Sequence, residues 1–137
     1  MRIFLDANIL FSAAKSDGAI HALVARLRAA KHECWVDGHV VDEARRNILA
    51  KAPDRLPRLE DVIARLNVST VAAAIVPADV RGLPEQDRLV VAAAVALNCD
   101  ALVTGDRTHF GELYGRRVAG VRIHSPRSLY VALFPEP

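Results

Sequence analysis

The chain has 137 residues, of which 52% are apolar and 25% are charged, and this balance excludes an intrinsically disordered protein. Aromatic residues make up only 5%, so the sequence offers few rings on which unpaired bases could stack. The net charge of +2 and the pI of about 8.8 are compatible with a polyanionic partner but too small to indicate one. At this length we expect one domain, residues 1–137.

The first predicted element is a short buried strand, Ile3–Leu5, which ends at Asp6. A helix follows, because apolar residues recur at the i, i+3, i+4 and i+7 positions of one face: Ile20, Leu23, Val24 and Leu27. Cys34–Val36 is predicted as the second strand, and Asp37 as the N-cap of a further helix that ends before Pro53.

The middle of the chain predicts two more helices on either side of a third strand. The first contains Pro57 near its start and an apolar face formed by Leu59, Val62, Ile63 and Leu66. Thr70–Val76 is the predicted third strand. Pro84 is expected in the first turn of the next helix, whose alanine-rich stretch "DRLVVAAAVALN" is too long for a typical strand.

The last third of the chain continues the alternation. Ala101–Thr104 is the predicted fourth strand, residues 105–115 a loop with one helical turn, and Val118–Ile123 the fifth strand. A closing helix is predicted with Ser125 as N-cap and Pro126 at its first position. Short apolar strands that alternate with helices indicate an α/β fold with a mainly parallel, five-stranded sheet covered on both faces.

Two further observations bear on the cellular compartment. Cys34 and Cys99 show no ligand spacing and are interpreted as free buried thiols, which suits a reducing environment. The first residues do not match a signal peptide, and the longest apolar run, Leu89–Leu97, is too short to cross a bilayer. We therefore expect a cytoplasmic protein without a membrane segment.

Four acids are predicted to meet at one edge of the sheet. Asp6 ends the first strand and Asp106 follows the fourth by two residues, so both lie where ligands bind in an open α/β sheet. Glu43 lies near the start of the helix after the second strand. Asp87 lies in the first turn of the alanine-rich helix, where Glu85 is the competing acid.

Clustered carboxylates raise one another's pKa, and a divalent cation reverses this effect. Ligation by oxygen atoms alone favours Mg²⁺ or Mn²⁺ over zinc. Such an ion activates water and stabilises charge on a phosphoryl group, so the pattern favours hydrolysis of a phosphodiester.

Four stretches carry a resemblance to a known family. In chain order, "FLDANIL", "VVDEARRNI", "LPEQDRLVVAAAV" and "LVTGDRTHF" resemble the motif regions of PIN-domain ribonucleases, among them VapC-like toxins. The resemblance spans nearly the whole chain. It implies a three-layer α/β/α sandwich and an Mg²⁺- or Mn²⁺-dependent endoribonuclease that leaves a 5′-phosphate. Single-stranded or looped RNA is the expected substrate.

The resemblance also implies roles for individual residues. Asp6, Glu43, Asp87 and Asp106 would form the catalytic, metal-binding cluster, with Thr104 and Asn8 as polar residues of the site. Many PIN proteins are toxins paired with an antitoxin, but "DEARRNI" resembles a less-characterised branch, so the residues support the toxin role less strongly than the nuclease activity. PIN proteins often form homodimers, and the sequence leaves the oligomeric state open.

Other interpretations remain open at this stage. Asn8 is as well explained as a helix cap as by a site role. His39, four residues before Glu43, is interpreted as a coincidental spacing, and His109 as a packed or solvent-facing residue. Phosphate contact is predicted for Arg107.

The sequence also bears on the aromatic residues of the core and on two other classes of protein. The aromatic residues assigned to the core are Trp35, Phe110 and Tyr130. A receiver-type signalling domain is disfavoured, because the first strand ends in one acid and "IHSPRS" contains no lysine. A non-catalytic RNA- or protein-binding module is the alternative function.

Overall fold

The computed structural model describes residues 1–70 and 75–136, which contain six strands and seven α-helices. The strands are β1 (Arg2–Leu5), β2 (Glu33–Asp37), β3 (Asn67–Ser69), β4 (Ala101–Val103), β5 (Arg117–Val118) and β6 (Val121–His124). The helices are α1 (Ala7–Lys15), α2 (Ala19–Ala29), α3 (Gly38–Lys51), α4 (Leu56–Ala64), α5 (Glu85–Ala96), α6 (Arg107–Phe110) and α7 (Pro126–Leu133). Within these described ranges, no helix has both the length and the apolar character needed to span a membrane.

All six strands belong to one sheet, in the order β3-β2-β1-β4-β6-β5. Neighbouring strands are parallel except for the β5–β6 pair. The strand order reverses between β1 and β4. Strands β2 and β3 lie on one side of β1, whereas β4 and β6 lie on its other side. Ligands of open α/β sheets bind at such a switch point, beyond the carboxyl ends of the strands.

Helices cover both faces of this sheet. Helices α1 to α4 contact one another and follow the strands that step outward from β1. The connection from β3 back to β4 runs in the opposite direction, so a right-handed crossover places α5 on the other face. The central strands β1 and β4 are buried between these layers except at Arg2. The prediction of a three-layer α/β/α fold is confirmed.

Helix starts follow the predicted caps. The Asp37 carboxylate accepts a hydrogen bond from the Val40 amide at 2.9 Å and begins α3. Ser125 begins α7, where its hydroxyl accepts from the Ser128 amide and the Ser128 hydroxyl accepts from the Ser125 amide, both at 3.1 Å. Pro84 lies directly before α5 rather than within its first turn.

The third strand lies earlier in the chain than predicted. It comprises Asn67–Ser69, which pair with Trp35–Asp37 of β2. Of the predicted strand Thr70–Val76, residues 71–74 lie outside the described residues, and Thr70, Ile75 and Val76 are not in a strand. At the described positions of that run no strand forms, because pairing with β2 decides which residues extend.

The predicted fifth strand, Val118–Ile123, is divided into two, and the prediction of five strands is wrong for this reason. Ala119 and Gly120 both have positive φ angles, 48° and 88°, which reverse the chain in a two-residue hairpin. Strand β5 thereby forms an antiparallel edge on an otherwise parallel sheet.

Three aromatic residues were assigned to the core, and only Phe110 is fully buried. Trp35 is half-buried and packs at the edge of the core. The assignment of Tyr130 is wrong: its side chain is exposed on α7 and lies beside the Arg26 guanidinium and the Phe134 ring. Both cysteines are free and buried, as expected.

Candidate functional site

Asp6 lies at the switch point, directly after β1, and is only 4% exposed. Its carboxylate begins α1, where Oδ1 accepts a hydrogen bond from the Ala7 amide at 2.7 Å. Oδ2 accepts from the Thr104 hydroxyl at 2.8 Å and from the Asn8 side-chain amide at 3.2 Å. These three donors fix the orientation of the carboxylate and leave one lone pair of Oδ1 without a donor among them.

Thr104 and Asn8 connect the ends of the two central strands. Thr104 follows β4 and is fully buried, and its Oγ1 lies 3.3 Å from Asn8 Nδ2. Asn8 Oδ1 accepts from the Gly105 amide at 2.8 Å. The interpretation of Asn8 as a helix cap is wrong, because Asp6 caps α1 and Asn8 lies inside its first turn. The position of Asn8 beside Asp6 agrees with the alternative interpretation.

Asp106 is held beside this pair by the loop that leaves β4. Its backbone amide donates to Thr104 Oγ1 at 3.2 Å. Its carboxylate begins α6, because Oδ1 accepts from the His109 amide at 3.1 Å. The second oxygen, Oδ2, lies 2.6 Å from Nδ1 of His109.

His109 connects two of the predicted acids. Its Nδ1 lies 2.6 Å from Asp106 Oδ2 and 3.1 Å from Asp87 Oδ2. His109 is exposed, in agreement with its interpretation as a solvent-facing residue, but that interpretation did not include its contact with the two carboxylates. The sequence held a signal for its position, since a residue three places after Asp106 lies over it once the predicted helical turn forms.

Asp87 and Glu43 approach the rim from two different helices. Asp87 lies in the first turn of α5, and Glu43 lies further along α3. The charge of Glu43 contributes to the raised pKa of Asp87, and the charge of Asp6 raises the pKa of both. The structure therefore brings Asp6, Asp87 and Asp106 to one rim, with Glu43 within electrostatic range.

The site acids have raised pKa values. Burial raises the pKa of Asp6, and the charge of Asp106 adds to this, although the three hydrogen bonds to the carboxylate oppose it. Burial and then the charge of Asp6 raise the pKa of Glu43. In contrast, the hydrogen bond to Asp106 raises the pKa of the His109 imidazole and favours its charged form.

Asp87 shows the effect most clearly. Burial, together with the charges of Asp6, Asp106 and Glu43, raises its pKa from 3.8 to about 6. The nearby His109 opposes the shift without cancelling it. A carboxylate in such surroundings is stabilised by any cation that reaches it.

Three other residues border this cluster. Arg107 begins α6 beside Asp106 and is exposed, so its guanidinium is accessible at the rim. The Tyr114 hydroxyl donates to the Thr104 carbonyl at 2.8 Å and helps to fix the loop after β4. The charge of His39 lowers the pKa of Glu43. The four-residue spacing therefore places the two side chains within electrostatic range of each other.

The arrangement has the geometry of a cation site. Ligand atoms of Asp87, Asp106 and His109 lie within 4.8 Å of one another. Carboxylate oxygens are the ligands that Mg²⁺ and Mn²⁺ prefer, and the charges of Asp6, Asp106 and Glu43 all act on Asp87. The residues present therefore fit a divalent cation.

A comparison with family models finds a match to the PIN domain over residues 2–108. The matched range contains all four predicted acids and ends two residues after Asp106. No curated protein matches the chain.

Solved structures similar to the chain include two VapBC structures. VapBC2 from Rickettsia felis, bound to a DNA fragment from the promoter, has a TM-score of 0.68 at 17% identity, covering 91% of this chain and 98% of that chain. DNA-bound VapBC from Salmonella typhimurium has a TM-score of 0.68 at 19% identity, and the match covers 92% of this chain and 98% of that chain.

Another similar structure is a single toxin. VapC20 from Mycobacterium tuberculosis, described as a sarcin–ricin loop cleaving toxin, has a TM-score of 0.55 at 16% identity, covering 80% of this chain and 94% of that chain. At these identities the structural likenesses show a shared fold.

Proposed function

We propose that this chain, which belongs to the PIN-domain family, is an endoribonuclease that hydrolyses RNA phosphodiester bonds with the help of Mg²⁺ or Mn²⁺. The observation that carries the proposal is the convergence of Asp6, Asp87 and Asp106 at the switch point, with Glu43 in electrostatic range. These acids come from four different elements, and the fold gathers them where α/β sheets bind ligands.

The four acids are the proposed ligands of the cation. Asp6 is oriented by Thr104, Asn8 and the Ala7 amide, and one lone pair of its Oδ1 remains for an ion. When bound, the divalent cation supplies a Lewis acid that activates water and stabilises negative charge on the phosphoryl oxygens. Thr104 and Asn8 are positioning residues, because their hydrogen bonds fix the carboxylate of Asp6.

The substrate is proposed to be single-stranded or looped RNA. Arg107 is exposed at the rim beside Asp106, so its guanidinium can bind a backbone phosphate next to the acids. A single strand or a loop can bend to bring its phosphodiester to the acids, whereas a paired strand is held in the regular geometry of the A-form helix. The similarity in fold to a toxin that cleaves the sarcin–ricin loop supports a looped substrate.

A toxin role is a further part of the proposal. Several similar structures are VapBC assemblies, and by analogy this chain would act in the cytoplasm as the toxin of a pair, inhibited by an antitoxin protein. Expression of the chain alone should then arrest growth, and co-expression of the protein encoded by the adjacent reading frame should restore it. Growth arrest that persists in an Asp106→Asn variant would contradict a toxic nuclease.

Cleavage of mixed RNA by the purified chain tests the nuclease activity. With Mn²⁺ present, we expect cleavage by the wild type and its loss on addition of a chelator or in the variants Asp6→Asn and Asp106→Asn. Asp54→Asn is a matched control, because Asp54 is exposed in the turn before α4 and should cleave as the wild type does. RNA binding without cleavage by the wild type would favour the non-catalytic module instead.

A further inference from the structure

We infer that Nδ1 of His109 is a ligand of the divalent cation, and that this nitrogen makes the site favour Mn²⁺ over Mg²⁺. The inference rests on the proposed function, because it adds a ligand to the same cation. The four acids supply only oxygen, so a nitrogen ligand changes which metal the site selects.

The distances around His109 match those between ligands of one metal ion. Nδ1 lies 2.6 Å from Asp106 Oδ2 and 3.1 Å from Asp87 Oδ2. Neighbouring ligands of an octahedral ion at about 2.1 Å lie about 3 Å apart. The three atoms therefore already have nearly the spacing that a shared cation requires.

Local structure holds this arrangement in place. Asp106 caps α6 through the His109 amide at 3.1 Å, so the carboxylate and the imidazole are fixed on the same side of one turn. The ring of His109 is 43% exposed, and it can therefore adjust to an ion without repacking the core. Asp87 belongs to another helix, so the imidazole contacts carboxylates from two separate parts of the fold.

A charged imidazole could instead act only as the counter-cation of the two carboxylates. The two roles predict opposite effects of removing the ring. Loss of a ligand weakens the binding of Mn²⁺, which accepts imidazole nitrogen, and affects Mg²⁺ less, because Mg²⁺ prefers oxygen. Loss of a competing positive charge strengthens the binding of both ions.

Binding of Mn²⁺ to the full chain, measured without RNA, separates these roles. Electron paramagnetic resonance titrations would compare the wild type with His109→Ala and the control His32→Gln. His32 precedes β2, at the opposite edge of the sheet from the acids. We expect His109→Ala to weaken Mn²⁺ binding by about tenfold or more, with a smaller effect on Mg²⁺ measured by competition.

Electron spin-echo envelope modulation from ¹⁴N shows directly whether an imidazole nitrogen binds the Mn²⁺ ion. We expect imidazole modulation in the wild type and in His32→Gln, and its absence in His109→Ala. Circular dichroism should show the same fold in all three, since His109 is exposed.

Two results would overturn the inference while leaving the proposed nuclease intact. The first is that Mn²⁺ binding depends on Asp106 but the spectrum of the wild type shows no nitrogen modulation, or shows modulation that persists in His109→Ala. The other is tighter binding of both ions by His109→Ala. If the wild type binds no divalent cation and cleaves no RNA, the proposed function itself fails.

Discussion

Carboxylates in two regions of this fold lie in opposite electrostatic surroundings. On the helical layer, Glu60 of α4 accepts two hydrogen bonds from the Arg45 guanidinium of α3, at 2.7 and 2.9 Å, and this pairing lowers the pKa of Glu60. At the switch point, burial and the neighbouring carboxylates raise the pKa of Asp87 to about 6.

The difference cannot come from a shortage of basic residues. The chain has 18 Lys and Arg against 16 Asp and Glu. Yet within the described ranges the acids of the switch point form ion pairs only with His109, whereas Glu60 and Asp17 are paired with arginines. We interpret the switch point as a binding place for a cation from solution. An arginine paired with these acids would instead have stabilised the folded state.

Replacing one acid in each region tests this comparison most strongly. Asp87→Asn should reduce RNA cleavage by more than about 100-fold, because even the loss of a residue that only supports a metal ligand costs about 10- to 100-fold. Glu60→Gln removes the same charge and should leave cleavage unchanged. Initial rates of RNA cleavage at saturating Mn²⁺ measure the effect of each variant. Equal losses of cleavage in the two variants would contradict the proposed difference between the regions.

A second test adds the missing cation. Mg²⁺ or Mn²⁺ at 100 times its dissociation constant should stabilise the wild type by about 2.7 kcal/mol, since it binds the folded state alone. Asp87→Asn should lose most of this stabilisation, and Glu60→Gln should keep it. Thermal or urea unfolding with and without the ion measures the effect, and a chelator should reverse it.

The pH dependence of the metal-free protein sharpens the comparison. The folded pKa of Asp87, about 6, lies above its ordinary value of 3.8, so the folded state binds a proton first as the pH falls. The wild type should therefore gain stability from Asp87 as the pH falls from about 6 toward 3.8.

Asp87→Asn isolates that contribution. We expect the variant to be more stable than the wild type at pH 8, by roughly 1–3 kcal/mol for a partly exposed group whose pKa shifts by about two units. This difference should close as the pH falls through the same window. Urea unfolding between pH 4 and pH 8 measures it, and a difference independent of pH would contradict the raised pKa.

The smallest expected effect concerns the stability of the helical layer. Glu60→Gln should lower the free energy of unfolding by about 0.2–1 kcal/mol at pH 7, the range of exposed ion pairs. The lowered pKa of Glu60 means that this contribution is present above its ordinary pKa of 4.5 and is lost as the pH falls through the lowered folded value. Its pH dependence should thus have the opposite sign to that of Asp87.

Much of the local structure could be predicted from the sequence. Asp37 and Ser125 begin their helices as expected, and Asp6 follows the first strand. The helical turn after Asp106 was also expected, but the meeting of His109 with Asp87 was not, because Asp87 lies on a helix 22 residues earlier in the chain. Tyr130 was misassigned for a related reason, since only the packing of α7 decides which of its faces is exposed.

The sequence by itself determined the caps at Asp37 and Ser125, the helical periods and the order of the four acids, because these depend on hydrogen bonds and spacing within one or two turns. Tertiary structure alone decided that β1 pairs with β4 and so brings Thr104 to Asp6 across 98 residues. It also decided the raised pKa of Asp87, since burial and the charges of distant residues produce that shift. Strand pairing and desolvation depend on partners far apart in the chain, and no local pattern specifies them.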